Sequence, residues 1–169
     1  MKQRSFKTQL SGQIGESIVV AELGRHGIVA TSFAGNVPDI DILAYGNGKS
    51  VPLQIKAQKK GHPSVDALKY LDITINSEIQ TVNGQADGVD RDLIFVMVKI
   101  GGTYGEDEFF IFKQGVIQDL VMVEYKRFLE KHDGVRPKNS KTTHCSYYLK
   151  DLAPYQNNWQ LIKDALGIV

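Results

Sequence analysis

The stretch PDIDILAYGNGKSVPLQIKA, from Pro38 to Ala57, constrains the fold of this chain more than any other. Two β-like runs, Val37–Tyr45 and Val51–Ala57, flank Gly46-Asn47-Gly48-Lys49, and an Asn-Gly pair between such runs predicts a tight hairpin. Side chains alternate along a strand, so Asp39 and Asp41 are expected on one face and Ile40 and Ile42 on the other. In the return strand Gln54 and Lys56 share a face, with Leu53, Ile55 and Ala57 opposite. The hairpin therefore gathers two carboxylates, an amide and an ammonium on one patch of sheet. Asp is depleted in strands, and a Lys within a β-rich run must reach water or a partner.

The remainder of the chain supplies a frame for this patch. Ser11 is a candidate N-cap of a helix that stops at Gly27, and a short strand is expected over Ile28–Phe33. Further strands are predicted at Leu71–Ile75, Leu93–Ile100 and Phe109–Phe112, with a long loop over Asn76–Asp92, which is rich in Gly, Asn and Asp. Ile117, Leu120, Val121 and Phe128 recur at helical spacing and predict a helix from about Ile117 to His132. Trp159, Ile162 and Leu166 mark a final amphipathic helix and are assigned to the core. This order of elements predicts an α/β or α+β sheet flanked by helices. At 169 residues with no linker or repeat, a single domain over 1–169 is expected.

Charge and cysteine content narrow the class. Twenty Lys and Arg against 19 Asp and Glu give +1, which excludes a histone-like mass of positive charge but not a local basic surface. The lone Cys145 forms no internal disulfide and fills no Cys-based zinc pattern, so a reducing cytoplasm is expected. The start of the chain lacks a signal-peptide apolar stretch, and the longest aliphatic and aromatic run, Leu93–Val98, is too short to cross a bilayer. No membrane association is expected.

Glu16 adds a third carboxylate. It stands at i relative to Val19, Val20 and Leu23 at i+3, i+4 and i+7, on an otherwise apolar helix face. A carboxylate there is costly to bury unless paired or bound to a cation. A place in the first helical turn would also favour it through the helix dipole. Carboxylates, an amide oxygen and a Lys are what phosphodiester hydrolysis uses. Mg²⁺ held by oxygens offsets the phosphate charge and lowers the pKa of a bound water, while a Lys orients that water or stabilises developing charge. A surface hairpin with an Asp–Lys ion pair would carry the same residues for little stability.

The order Glu16, then Pro38-Asp39-Ile40-Asp41, then Gln54-Ile55-Lys56 resembles the PD-(D/E)XK nuclease superfamily, which includes restriction endonucleases and archaeal Holliday-junction resolvases. The resemblance spans Gly12 to about Lys60. It implies a restriction-endonuclease-like α/β fold, a mixed β-sheet flanked by helices, and a Mg²⁺-dependent endodeoxyribonuclease in which Mn²⁺ can substitute. Asp41, Gln54 and Glu16 would bind metal, with Asp39 as an alternative or second-site ligand, and Lys56 would activate water. Asp41 is favoured over Asp39 because it precedes the apolar run Ile42-Leu43-Ala44. Gln54 departs from the usual Asp or Glu and brings an oxygen without a charge. That departure keeps a second class open, a non-catalytic module of the same fold that binds nucleic acid or a protein.

Basic residues surround the motif. Lys59 and Lys60 follow it, and Lys2, Arg4 and Lys7 precede the first helix. Between Gly134 and Lys150 the chain carries Arg136, Lys138, Lys141 and Lys150, with His144, Tyr147 and Tyr148 and no acid. This is a candidate contact surface for DNA phosphates, with aromatics available for packing. His26, His62, His132 and His144 form no metal-ligand spacing. The expected partner is DNA, and a homodimer is compatible with the sequence.

Overall fold

A computed structural model of the chain describes residues 6–33 and 38–169. Along the chain come α1 (Phe6–Arg25), β1 (Val29–Ser32), β2 (Ile42–Gly46), β3 (Lys49–Gln58), β4 (Ser64–Asp66), β5 (Leu71–Asn76) and β6 (Ile79–Gln85). They are followed by β7 (Ile94–Lys99), β8 (Glu108–Lys113), α2 (Gln114–Lys131), β9 (His144–Ser146) and α3 (Gln160–Leu166). Short 3₁₀ segments cover Ala67–Lys69 and Leu149–Tyr155. These elements form two compact units, one of the described residues up to Gly61 with Leu93–Phe112 and Leu152–Val169, the other of His62–Asp92 and Lys113–Asp151. No linker marks the division, and two of the crossings fall inside β8 and the second 3₁₀ segment.

The first unit is built on a five-stranded mixed sheet ordered β1-β2-β3-β7-β8. β1–β2 and β2–β3 are antiparallel, whereas β3 runs parallel to β7. The predicted hairpin is present, and its turn needs positive φ at both central residues, supplied by Asn47 (49°) and Gly48 (73°). Val19 and Leu23 of α1, Ile162 and Leu166 of α3, and Ile42, Ala44, Leu53, Val96 and Ile111 of the sheet form one buried apolar cluster. Trp159, just before α3, belongs to it as expected.

α1 starts five residues before the expected cap, so Ser11 lies inside the helix and caps nothing. Its end follows the sequence closely. Gly27 takes φ 74°, Gly27 N–H donates to Gly24 O, and Ile28 N–H donates to Leu23 O at 2.9 Å. This is the left-handed stop that glycine allows.

The second unit holds the two-stranded sheets β5–β6 and β4–β9, and α2. Here the expectation of a loop over Asn76–Asp92 is overturned. β6 occupies its first half and pairs antiparallel with β5, Thr74 opposite Thr81. Its inward positions are Gln80, Val82 and Gly84, so the alternation is real but mostly polar and invisible to a hydrophobic pattern. Gln80 is buried and donates through its amide to Thr142 O at 3.1 Å, while its oxygen accepts from the Tyr125 hydroxyl. Among the described residues no helix is long and apolar enough to cross a membrane.

Candidate functional site

β3 changes partner at Leu53. β2 pairs with it from Lys49 to Leu53, and β7 pairs with it from Leu53 to Gln58. Past Leu53 the described residues of β2 no longer continue beside it, and the two strands part as a fork. Gln54 and Lys56 lie on the arm that β3 contributes.

Asp41 sits at the point of divergence. The register pairs Ile42 with Leu53, yet Asp41 N–H also donates to Leu53 O at 2.9 Å. Two consecutive residues thus face one, which is a β-bulge, a device that re-aims a side chain. The Asp41 carboxylate turns across the fork, and its Oδ2 accepts from Ile55 N–H at 2.7 Å. A side-chain oxygen thereby satisfies a strand N–H that the departing strand no longer meets. The Gln54 amide approaches the same oxygen, Nε2 to Oδ2 at 3.4 Å.

The expected strand did not extend as far back as the sequence predicted. Asp39 sits in an exposed turn with φ 61°, outside β2, so Asp39 and Asp41 do not share a strand face. Val37, the expected first residue of that strand, lies outside the described residues.

α1 brings Glu16 to the fork. The helix makes its closest approach at Gly15, where a Cβ would stand 2.2 Å from Ala57 Cβ. Only glycine permits that contact, and it fixes the next residue over the strands. Glu16 is half-buried, and its carboxyl is raised above the ordinary range, first by burial and then by the nearby charge of Asp41. The helix dipole does not explain its position. Glu16 lies ten residues past Phe6, about 15 Å along the axis, far beyond the first turn where the dipole acts.

The structure thus brings Glu16, Asp41 and Gln54 together, and Lys56 follows on β3 with its side chain exposed. Among the described residues there is no group of three or more His, Cys, Asp or Glu placed to hold a metal. The available oxygen donors are two carboxylates and an amide.

A cleft of about 610 Å³ runs between the first half of α1 and the end of β3. Thr8, Ser11 and Ile14 form one wall and Lys59 and Lys60 the other. Sequence reasoning missed the two hydroxyls of the helix wall by treating Ser11 as a cap, although Thr8 and Ser11 stand three apart and share a helix face beside Leu10 and Ile14.

The other predicted basic residues divide. Lys138 and Lys141 are exposed. Arg136 is half-buried, with its guanidinium carbon 4.6 Å from the Phe128 ring and 5.3 Å from the Tyr125 ring, and Nη2 donating to His144 O at 2.8 Å. These contacts all lie within the second unit. Tyr147, expected as a packing aromatic, is fully buried, while Tyr148 is exposed. Lys2 and Arg4 lie outside the described residues, and the side chain of Lys7 does too.

A mixed five-stranded sheet carrying helices, with a hairpin fork at its centre, is a nuclease-like α/β fold. Among solved structures the chain is similar to a bacterial homing endonuclease, I-Ssp6803I, with a TM-score of 0.51 and 16% identity over 94% of each chain. At that identity the likeness is one of fold. No family model and no curated protein matches the chain.

Proposed function

We propose that this chain is a metal-dependent DNA endonuclease of the PD-(D/E)XK type, acting at the fork between β2 and β3. The observation that carries the proposal is the meeting of Glu16 with Asp41 at the bulge, Gln54 beside them. Mg²⁺ is commonly held by one or two carboxylates and completes its shell with water and substrate phosphate, which matches this donor set. Gln54 offers its amide oxygen once the terminal amide turns over. The Ile55 carbonyl shares the strand edge of its N–H and adds a further oxygen. Burial and a neighbouring anion raise the Glu16 carboxyl, and the charge of a dication would offset the cost of both.

When bound, Mg²⁺, or Mn²⁺ in its place, offsets phosphate charge and lowers the pKa of water. Lys56 orients the attacking water for in-line displacement and donates to the oxygen on which charge develops. Lys59 and Lys60, on the cleft wall, hold flanking phosphates. The fold likeness to a homing endonuclease supports DNA as the substrate class.

One observation favours a second reading. The 2.7 Å bond from Ile55 N–H to Asp41 is also what a purely structural aspartate would make, as in a non-catalytic module of this fold. Cleavage assays on linear, branched and single-stranded DNA with Mg²⁺ or Mn²⁺ separate the two. Lys56→Ala is expected to slow single-turnover cleavage by about 10²–10³-fold with folding and DNA affinity kept. Gln54→Glu is expected to tighten Mn²⁺ binding by calorimetry, because it adds an anionic ligand. Full cleavage by Lys56→Ala would overturn the proposed site.

A further inference from the structure

The β5–β6 ribbon of the second unit has a solvent face unlike an ordinary exposed sheet. Asp72, Thr74 and Asn76 on one strand and Ile79, Thr81, Asn83 and Gln85 on the other are all exposed; Gln85 is held by Asp119 and Arg91, and of the strand residues on this face one is charged and none is Lys or Arg. Exposed ribbons usually carry lysines, which discourage pairing with other strands. Here short donor–acceptor side chains fill the same positions. Two of them are fixed on each other, since Asn83 Nδ2 donates to Thr74 Oγ1 at 2.8 Å. The Thr74 hydroxyl is then set to donate outward, and Asn83 keeps an amide oxygen and a second N–H for a ligand.

From this we infer that the ribbon reads base edges in the major groove of duplex DNA. The inference rests on the proposed function only for DNA as substrate. A two-stranded ribbon fits the major groove, where Asn matches the N6 and N7 edge of adenine and Thr meets several bases. Its six-residue strand is about 20 Å long and covers about six base pairs. Base reading also needs phosphate contacts to fix the register. The acid-free segment 134–150 lies in the same unit and is fastened to the ribbon. Gln80 N–H donates to Gly134 O at 2.9 Å, the Gln80 amide donates to Thr142 O, and Ile79 bridges Val135. Lys138 and Lys141 are thereby carried beside the ribbon as exposed cations, the complement of a phosphate backbone.

The test is selection by binding, in the full chain without metal, from a pool of DNA duplexes randomised over twice the ribbon's reach. The wild type is expected to recover a preferred sequence. Thr74→Val and, separately, Asn83→Ala are expected to lose about ten- to hundredfold discrimination at one or two adjacent positions. Both sites are exposed, and Thr81→Ala serves as a third variant should either fail to fold. Affinity for random duplex and its salt dependence should not change in these variants. Lys138→Ala with Lys141→Ala should behave oppositely, weakening every sequence alike and lowering the slope of log affinity against log salt by about 2. Recovery of no motif, or of the wild-type motif by the ribbon variants, overturns the inference, as does equal competition by duplex RNA, whose major groove is too narrow. Selective binding by a chain that cuts no DNA would leave the inference standing and remove the nuclease reading. Cutting without a motif would do the reverse.

Discussion

β7 and the β5–β6 ribbon are strands of similar length held by different means. Five of the six positions of β7 are buried, because it lies inside a five-stranded sheet whose residues pack on both faces. In the ribbon, burial alternates residue by residue, and the outward face is polar apart from Ile79. An interior strand therefore spends nearly every side chain on the core, whereas the ribbon commits every second one. The contrast locates where substitutions are tolerated, and it leaves the ribbon's outer side chains available for recognition.

The largest expected effect tests this contrast directly. Met97 is fully buried in β7, so Met97→Ala should lose about 2–5 kcal/mol in urea denaturation. Thr81→Ala, on the open face, should stay within about 0.5 kcal/mol. Equal losses would mean that the ribbon face is not a free surface.

The contact of α1 with β3 comes next. Gly15→Ala sets two methyl groups in collision and should cost about 1–3 kcal/mol, and adding Ala57→Gly should restore most of that loss. Independent, additive effects in the double variant would show that the helix is positioned elsewhere. Within the second unit, Arg136→Ala should cost about 1–2 kcal/mol through its two ring contacts and its bond to His144 O. Lys138→Ala should be near neutral, and the same thermal or urea measurement compares them.

The smallest effect is the pH dependence contributed by Glu16. Its folded-state carboxyl is raised, so the native state binds more protons than the unfolded state and stability falls as pH rises through the carboxylate range. The cost is absent below the ordinary value near 4.5 and complete above the raised one. Glu16→Gln should therefore match the wild type at low pH and exceed it at neutral pH. Addition of Mn²⁺ should close the gap by stabilising the wild type alone. A constant difference at all pH values would show that Glu16 feels neither its burial nor Asp41.

The hairpin, the buried strands and the final helix were legible because their signals are local, an Asn-Gly turn or a run of apolar residues. The pairing of Gln54 and Lys56 on one strand was legible for the same reason. The start of α1, the β6 strand and the bulge at Asp41 were not. β6 is held by a buried glutamine whose partners, Tyr125 and Thr142, are remote in sequence. Strict alternation places Asp41 beside Asp39, and only the left-handed turn at Asp39, outside β2, shows that they part. The Ile55 N–H that holds the Asp41 carboxylate is a backbone group and has no letter at all.

The contact between Gly15 and Ala57 sets a tolerance as well as a distance. With only the rigid Ala57 methyl against the helix backbone, nothing at the contact can rearrange to absorb an error, and the spacing of the Glu16 and Asp41 carboxylates inherits the width of a single methyl group. An unbiased screen for chains that have lost the activity proposed for the fork would therefore return Gly15 and Ala57 beside the acidic residues. Neither carries a reactive group, so inventories of chemically competent side chains would overlook both.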